Sequence, residues 1–339
     1  MSDRRDASKR PEGGIVFAYR ALGLGDFLTA VPALKGLRRA FPRADLVLAG
    51  RRSLAALALH TELVDRVIAT EPFRVVDLGG RDVGLGVNLH GRGPQSHAVV
   101  LGVHPRRLIA WEHPLVAMSY GMPRWRRDEH EVARWCRLLT TCGVPADPAD
   151  LGIEPPAAEV PQWAHGATLL HPGAESPARR WPPERFAAVA RSERAQDRAV
   201  VVTGSPEESG LAHDVAQAAG LPAASVVAGR TSVMELAAFV AVAGRVICGD
   251  TGVAHLATAL ATPSVVLFGP TSPRHWGPPA RSIHRVLWAG TTGDPHGAAP
   301  DLGLLSIQVS DVIEALAGLG QSEQLVGAGR GESRGRGTA

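Results

Sequence analysis

This sequence of 339 residues lacks the features that mark several large classes of protein. Its three cysteines, Cys136, Cys142 and Cys248, show no C-x-x-C spacing and no paired histidines, which argues against structural zinc and against a disulfide framework. No apolar run reaches the roughly 18 residues that a membrane-spanning helix requires. The net charge of +3 is too small to indicate a nucleic-acid partner.

The two ends of the chain are poor in apolar residues. Residues 1–13 have no apolar core of a secretory signal, so a cytoplasmic protein with reduced thiols is expected. Residues 320–339 are rich in glycine, serine and charge, and both ends are predicted to be disordered tails. The chain is 45% hydrophobic and 20% charged. The residues between the two ends are enough for two domains. A proline-rich stretch at 147–161 is the predicted linker.

The first half opens with a β-α-β pattern. Residues 15–19 predict a buried strand, 27–40 an amphipathic helix and 46–49 a second strand, which implies parallel pairing. The turn between them begins G-x-G, but Leu28 stands where the dinucleotide fingerprint requires a third glycine, which argues against NAD. What remains is Asp26 at the carboxyl end of a strand, where open parallel sheets bind ligands. The simpler alternative is that Asp26 only caps the helix.

The second half repeats the alternation of strands and helices. Five strands are predicted, each followed by a glycine-rich or polar turn: 167–170, 199–203, 226–228, 246–248 and 264–268. Their carboxyl ends are expected to line one side of a pocket. The Gly-Asp-Thr-Gly turn that follows the fourth strand leads into a predicted helix, whose unpaired N–H groups and dipole attract anions. Ordinary capping by Asp250 or Thr251 is the alternative interpretation.

Polar and basic residues in the first half are candidates for contact with a second substrate. His90 follows a predicted strand, although a lone loop histidine is more often merely solvated. The stretch 104–127 combines five arginines with Trp111 and Trp125. Such a stretch suits an acidic acceptor or a membrane surface, while a solvated arginine-rich face is the simpler interpretation.

Four blocks of the sequence match, in order and spacing, those of one enzyme family. The blocks are 21–26, 171–174 with 179–182, 203–208, and 249–252 with 255–257. Through them the chain resembles glycosyltransferase family 9, the ADP-heptose:lipopolysaccharide heptosyltransferases. The resemblance implies an α/β fold of GT-B architecture, with two Rossmann-like parallel-sheet domains that face each other across a cleft. In that family the final helix returns to the first domain.

Mapped onto this chain, the resemblance implies an N-terminal acceptor domain at 14–155 and a C-terminal donor domain at 156–305. The helix at 306–319 would cross back to the N-terminal domain. The implied reaction is inverting transfer of a heptose or related sugar from a nucleotide-diphosphate donor, ADP-heptose by resemblance. The acceptor would be a hydroxyl of a cell-envelope glycan or lipopolysaccharide-like molecule, with peripheral contact to the inner membrane surface. No metal and no cofactor beyond the nucleotide sugar are implied, and the chain has no D-x-D pair to hold a metal on a diphosphate.

The family's functional residues carry over to specific positions. Asp26 matches the base that takes the proton from the acceptor hydroxyl. Arg179 stands where the family has a phosphate-binding lysine, and Arg180 is the neighbouring candidate. Further residues implied in donor binding are Glu208, Thr231, Asp250, Thr251, Gly252 and His255. Those expected to contact the acceptor are Gly25, His90 and Arg92.

Two alternatives belong to other functional classes. A nucleotide-sugar epimerase on the same GT-B scaffold would release an epimer or free sugar from donor alone, without any acceptor. A non-catalytic nucleotide-sugar-binding protein would need the pocket but not Asp26. The presence of both Asp26 and Arg179 counts against the binding protein.

Overall fold

The computed structural model describes residues 14–319. This part of the chain divides into two compact units, the first built mainly from residues up to Ala158 and the second mainly from Glu159 onward. The predicted tails 1–13 and 320–339 lie outside the described residues. Within residues 14–319, no helix combines the length and the apolar character needed to cross a membrane.

The first unit is a five-stranded parallel sheet flanked by helices. In chain order its elements are β1 (Ile15–Tyr19), α1 (Leu24–Ala40), β2 (Asp45–Gly50), α2 (Ala55–His60), β3 (Arg66–Ala69), β4 (Val83–Asn88), α3 (Pro94–Leu101), β5 (Leu108–Ile109) and α4 (Glu131–Thr141). The strand order is β3-β2-β1-β4-β5, and every pair is parallel. Strands β1 and β4 are buried along their whole length, as expected for a sheet covered on both faces.

The second half of the chain forms another five-stranded parallel sheet. Its elements are β6 (Thr168–His171), α5 (Pro183–Arg194), β7 (Val200–Val202), α6 (Ser209–Ala218), α7 (Val233–Val242), β8 (Arg245–Gly249), α8 (Gly252–Ala259), β9 (Ser264–Phe268), α9 (Pro273–Trp276), β10 (His284–Trp288), α10 (Leu302–Ser306) and α11 (Val309–Ala317). The strand order is β10-β9-β8-β6-β7. The strand expected at 226–228 is reduced to one parallel bridge between Val202 and Val226.

Helix α1 begins three residues earlier than its apolar spacing predicts. The chain enters the helix through Gly23, which is extended at the N-cap position, so the glycine-rich turn becomes the first helical turn. The apolar stripe is buried as expected, with Leu28, Val31, Leu34 and Leu37 at most 2% exposed. Pro32 lies inside the helix.

The last helix packs on the second unit. Val312 and Leu316 of α11 are buried in the same core cluster as Phe186 of α5. The i, i+4 apolar stripe of α11 thus fills the core of its own unit. The return of 306–319 to the first domain stays a prediction.

Candidate active site

The predicted site residues gather at the points where strand order reverses. The reversal falls between β1 and β4 in the first sheet and between β6 and β8 in the second. At such a point the loops after two neighbouring strands lead away in opposite directions, and a crevice opens at the carboxyl edge, where ligands of open α/β sheets bind. Asp26 follows β1 and His90 follows β4, while Arg179 follows β6 and Asp250 follows β8.

Asp26 lies in the first turn of α1, two residues after the helix begins. Its side chain is 29% exposed. Because the cap position belongs to Gly23, the alternative that Asp26 serves as the helix cap is wrong. The helix dipole favours a carboxylate in the first turn, so α1 both places and stabilises the charge.

Arg20, which the sequence alone does not single out, is in direct contact with Asp26. It directly follows β1, its side chain is 1% exposed, and Nη2 lies 3.3 Å from Asp26 Oδ1. The same nitrogen is 3.1 Å from Glu131 Oε1 on α4. Burial alone would raise the pKa of the Glu131 carboxyl, but the guanidinium groups of Arg20 and Arg134 outweigh it and bring that pKa below its ordinary value.

His90 is held as a neutral imidazole beside the turn that carries Asp26. Its Nδ1 accepts a hydrogen bond from the Ala21 N–H at 3.1 Å, so the ring proton belongs to Nε2. The ring stacks on Tyr19 with the centroids 4.4 Å apart. Burial, followed by the charges of Arg20 and Arg51, lowers the pKa of His90 to about 4.

Asn88, at the end of β4, orients the His90 loop. Its side-chain oxygen accepts the His90 N–H at 3.0 Å, and its amide nitrogen donates to Ser96 Oγ at 2.9 Å. An amide performs both tasks, whereas a carboxylate could only accept. The loop geometry therefore depends on asparagine at this position.

Arg92, exposed beyond this loop, lies over an aromatic cluster. Its guanidinium carbon is 5.9 Å from the centre of the Trp125 ring. Trp125 contacts Trp135, whose ring faces the Arg20 guanidinium at 4.9 Å. Two aromatic rings between two cations thus connect the surface with the buried Arg20.

In the second unit, Arg179 is held against the turn after β8. Its Nη1 donates to the Asp250 carbonyl at 3.2 Å. A Cβ at Gly249 would fall 2.9 Å from the Arg179 carbonyl oxygen, so only glycine allows this approach. Arg179 Nε is buried without a hydrogen-bond partner among the described residues. The loop after β6 and the turn after β8 are therefore in direct contact, and the Arg179 guanidinium lies where they meet.

The turn after β8 carries two buried polar groups with unusual surroundings. Burial raises the pKa of Asp250 to about 6, although the Arg179 charge opposes this. Thr251 is the N-cap of α8, yet its side chain makes no cap hydrogen bond. Within residues 14–319, no oxygen or nitrogen pairs with Thr251 Oγ1, and its polar neighbour is the weakly bonding Cys248 thiol. Gly252 and His255 lie in the first turn of α8.

Glu208 is fixed at the carboxyl end of β7 by a capping box. One carboxylate oxygen accepts the Ser205 N–H at 2.9 Å, as expected for a glutamate three residues after a serine cap. The Glu208 carboxylate lies against Gly173 in the loop after β6. Next to them, buried His171 bonds through Nδ1 to Thr203 Oγ1 at 3.0 Å. Because that hydroxyl also lies 3.2 Å from the Leu170 carbonyl, its proton goes to the carbonyl and His171 Nδ1 is the donor.

Two further predicted donor residues lie on the same edge. Arg180 donates from Nε to the Ala174 carbonyl at 2.9 Å. Thr231 follows Gly229, whose N–H bonds to the Gly204 carbonyl at 3.0 Å at the end of β7. Among residues 14–319, no three His, Cys, Asp or Glu side chains are grouped closely enough to hold a metal ion.

Comparison with known proteins agrees with this geometry. Residues 107–296 match the model of glycosyltransferase family 9 (heptosyltransferase). No curated protein sequence matches the chain. The fold is similar to that of a family 9 glycosyltransferase from Veillonella parvula, with a TM-score of 0.72 and 20% identity over 90% of this chain and 97% of that one.

Two Escherichia coli structures are also similar. For ADP-heptose lipopolysaccharide heptosyltransferase II the TM-score is 0.67 at 20% identity, over 91% of this chain and 99% of that one. For heptosyltransferase WaaC, solved with ADP, it is 0.69 at 18% identity, over 89% and 99%. The α/β fold class, the family and the transferase class predicted from the sequence are confirmed.

Proposed function

This chain belongs to glycosyltransferase family 9, and we propose that it moves a heptose or a closely related sugar from ADP-heptose to a hydroxyl of a cell-envelope glycan or glycolipid. The observation that carries the proposal is the contact between Arg179 and the turn that opens α8. It combines a fixed guanidinium with the unpaired N–H groups of a helix start, which is a site for a diphosphate.

The second unit supplies the donor side of the proposed reaction. As the sugar leaves, charge develops on the diphosphate, and Arg179, Arg180 and the N–H groups at Gly252 stabilise it. Thr251 Oγ1, which lacks an oxygen or nitrogen partner in the described chain, would bond a phosphate oxygen. The reaction as proposed needs no metal, because the guanidinium, N–H and hydroxyl groups of this site stabilise the negative charge on the leaving diphosphate.

The nucleoside is proposed to bind between the loops after β6 and β7. One Glu208 oxygen is occupied by the Ser205 N–H, and the carboxylate can still accept hydrogen bonds from ribose hydroxyls. Thr231, on the same edge, is placed to contact the base. Asp250 and His255 would bond hydroxyl groups of the sugar.

The first unit supplies the base and the acceptor contacts. Asp26 takes the proton of the acceptor hydroxyl while that oxygen forms a bond to the anomeric carbon and the bond to the diphosphate breaks. Attack opposite the leaving group inverts the anomeric carbon. The Gly25 backbone, His90 Nε2–H and Arg92 would orient the acceptor. The cytoplasmic location and the peripheral membrane contact stay predictions.

The first experiment identifies the donor. Thermal unfolding is measured with ADP, UDP, GDP and dTDP, since a ligand that binds the folded state raises its stability in proportion to affinity. ADP is expected to give the largest shift. A larger shift with another nucleotide would contradict the ADP assignment.

The second experiment tests transfer and the base. The protein is incubated with ADP-heptose and a total envelope glycolipid extract, and glycosylated product is detected by mass spectrometry. Asp26→Asn should keep the ADP-induced shift and lose transfer, whereas the control Asp45→Asn, in a half-exposed ion pair with Arg66, should transfer normally. Transfer by Asp26→Asn at the wild-type rate would refute the assignment of Asp26 as the base. An epimer formed from donor alone would favour the epimerase.

A further inference from the structure

The buried Arg20, at the end of β1, contacts three other elements of the first unit. Its Nε donates to the Asp26 backbone carbonyl and its Nη1 to the Leu89 carbonyl after β4. Its Nη2 reaches Asp26 Oδ1 at 3.3 Å, Thr29 Oγ1 at 3.1 Å and Glu131 Oε1 at 3.1 Å. One guanidinium therefore ties the end of β1 to the first turn of α1, the end of β4 and the start of α4.

The contacts with Asp26 fix both the backbone and the side chain of that residue. Arg20 holds the carbonyl and one carboxylate oxygen, Oδ1, so rotation of the carboxylate is restricted. The other oxygen, Oδ2, lies over Gly23, 3.6 Å from the position that a Cβ would take there. Arg20 is 1% exposed and Asp26 is 29% exposed, so the bonded oxygen Oδ1 belongs to the inner side of the network.

Glu131 is the second carboxylate that pairs with Arg20. It is shared between Arg20 and Arg134 and also accepts the Trp135 Nε1–H at 2.7 Å. When Asp26 gains a proton it loses its charge, and Glu131 then remains as the partner of the buried Arg20. The cation is thus paired both before and after proton transfer.

Stability alone does not account for this network. Moving a guanidinium and a carboxylate out of water costs several kcal/mol per ion, and well-packed apolar residues in their place are often at least as stable. A network of buried charges that ends on a partly exposed carboxylate is the pattern of a site whose reactivity is tuned.

We propose that Arg20 is a positioning residue for Asp26, and that Glu131 sets the affinity of the Asp26 carboxylate for a proton by competing for Arg20. The proposal rests on the proposed function of Asp26 as the base. Other charged or titratable groups around the network are His90 after β4, Arg134 on α4 and Arg51, which acts on His90. None of these replaces the direct contact between Arg20 and Asp26.

The test is a pH titration of the Asp26 side-chain carboxyl by NMR. Aspartate is labelled with carbon-13 at the carboxyl, and the Asp26 signal is the one missing from Asp26→Asn. In Arg20→Gln the midpoint should move to higher pH by about one unit, because a cation that favours the ionised form is lost. In Glu131→Gln it should move to lower pH, because Arg20 then has fewer anions to share.

Two further variants separate positioning from charge and from general damage. Arg20→Lys should return the midpoint close to that of the wild type but leave kcat for transfer from ADP-heptose roughly tenfold or more below it, because a single ammonium cannot hold both the Asp26 backbone carbonyl and Oδ1. KM for ADP-heptose should be unchanged. Arg66→Gln, which breaks a half-exposed ion pair in the same unit, should alter neither the midpoint nor kcat.

Identical Asp26 midpoints in the wild type, Arg20→Gln and Glu131→Gln would overturn the proposal, as would a wild-type kcat in Arg20→Lys. If Arg20→Gln does not fold, Glu131→Gln decides the matter, since its amide oxygen still accepts from Trp135 and Arg20. Normal transfer by Asp26→Asn would instead refute the proposed base. The titration would still show whether Arg20 and Glu131 control this carboxyl.

Discussion

The carboxylate of Glu208 lies so close to the Cα of Gly173 that a Cβ at residue 173 would fall 2.2 Å from Glu208 Cδ. Gly173→Ala must therefore displace Glu208 from the loop edge. We expect the Kd for ADP to rise roughly tenfold or more, which is about 1.4 kcal/mol of binding free energy, because the ribose contact is lost. Calorimetric titration with ADP measures this directly.

The matched control for that change is Gly210→Ala, in α6 of the same unit. A Cβ at Gly210 meets no atom within 4 Å, so ADP affinity should be unaltered. Equal Kd values for Gly173→Ala and the wild type would show that Glu208 does not contact the nucleotide.

Replacement of Arg179 tests the diphosphate site. Hydrogen bonds to charged groups are worth about 1.5–3 kcal/mol, so Arg179→Gln should weaken ADP binding roughly 10- to 150-fold. Arg179→Lys should weaken it less, since it keeps the charge but loses the planar fork. Binding of adenosine should be unaffected in both variants. A similar loss for adenosine and ADP would place Arg179 away from the phosphates.

We expect replacement of Asp250 to stabilise the folded protein and to weaken donor binding. Its pKa is raised to about 6 in the folded state, against an ordinary value of 3.8, so the folded state resists ionisation. The stability that the neutral carboxyl contributes is present at low pH and is lost as the pH rises from about 4 to above 6. Asp250→Asn should therefore raise the free energy of unfolding by about 3 kcal/mol at pH 8.

This gain should shrink toward pH 4, where the wild-type carboxyl is neutral in the folded state. Chemical denaturation of both proteins at pH 4 and pH 8 provides the measurement. ADP-heptose affinity should fall in the variant at pH 8. A gain of the same size at both pH values would contradict the assigned pKa.

The lowered pKa of His90 should make the protein less stable as the pH falls. Its folded-state pKa is about 4, below the ordinary 6.5, so the unfolded chain takes up a proton first as the pH falls. The free energy of unfolding should decline from pH 6.5 to pH 4 by up to about 3 kcal/mol from this residue. In His90→Asn, whose side-chain oxygen can still accept the Ala21 N–H, the decline should be smaller by that amount.

The comparison is made by denaturant titration at several pH values, with His213→Asn as the control because His213 is exposed on α6. Parallel pH profiles for His90→Asn and the wild type would mean that His90 is protonated as easily in the folded state as in the unfolded chain.

Much of the architecture could be predicted from local patterns. Apolar runs followed by glycine turns and amphipathic segments predict parallel strands with helical crossovers, and this also places Asp26 and Asp250 at carboxyl ends of strands. Arg20 could not be found in this way, because its partners Leu89 and Glu131 are brought to it only by the fold. In the sequence it is one more arginine in a polar turn.

The errors have similar causes. Gly23 and Gly25 suggest a loop and so predict a later start for α1, whereas the extended Gly23 is the N-cap and the helix begins at Leu24. The strand at 226–228 has the right composition but pairs only at Val226. Which core takes up Val312 and Leu316 of α11 is decided by the fold, and residue spacing carries no information about that.

The contact between Arg20 and Glu131 joins residues 111 positions apart, which matters while the chain is being synthesised. Arginine stays charged at every physiological pH, so a nascent chain that has not yet reached α4 lacks one of the two carboxylates that pair with Arg20. Domains fold as units as they emerge from the ribosome. The edge that carries Asp26 is therefore completed electrostatically only when translation has passed residue 131, long after β1, α1 and β2 have been made.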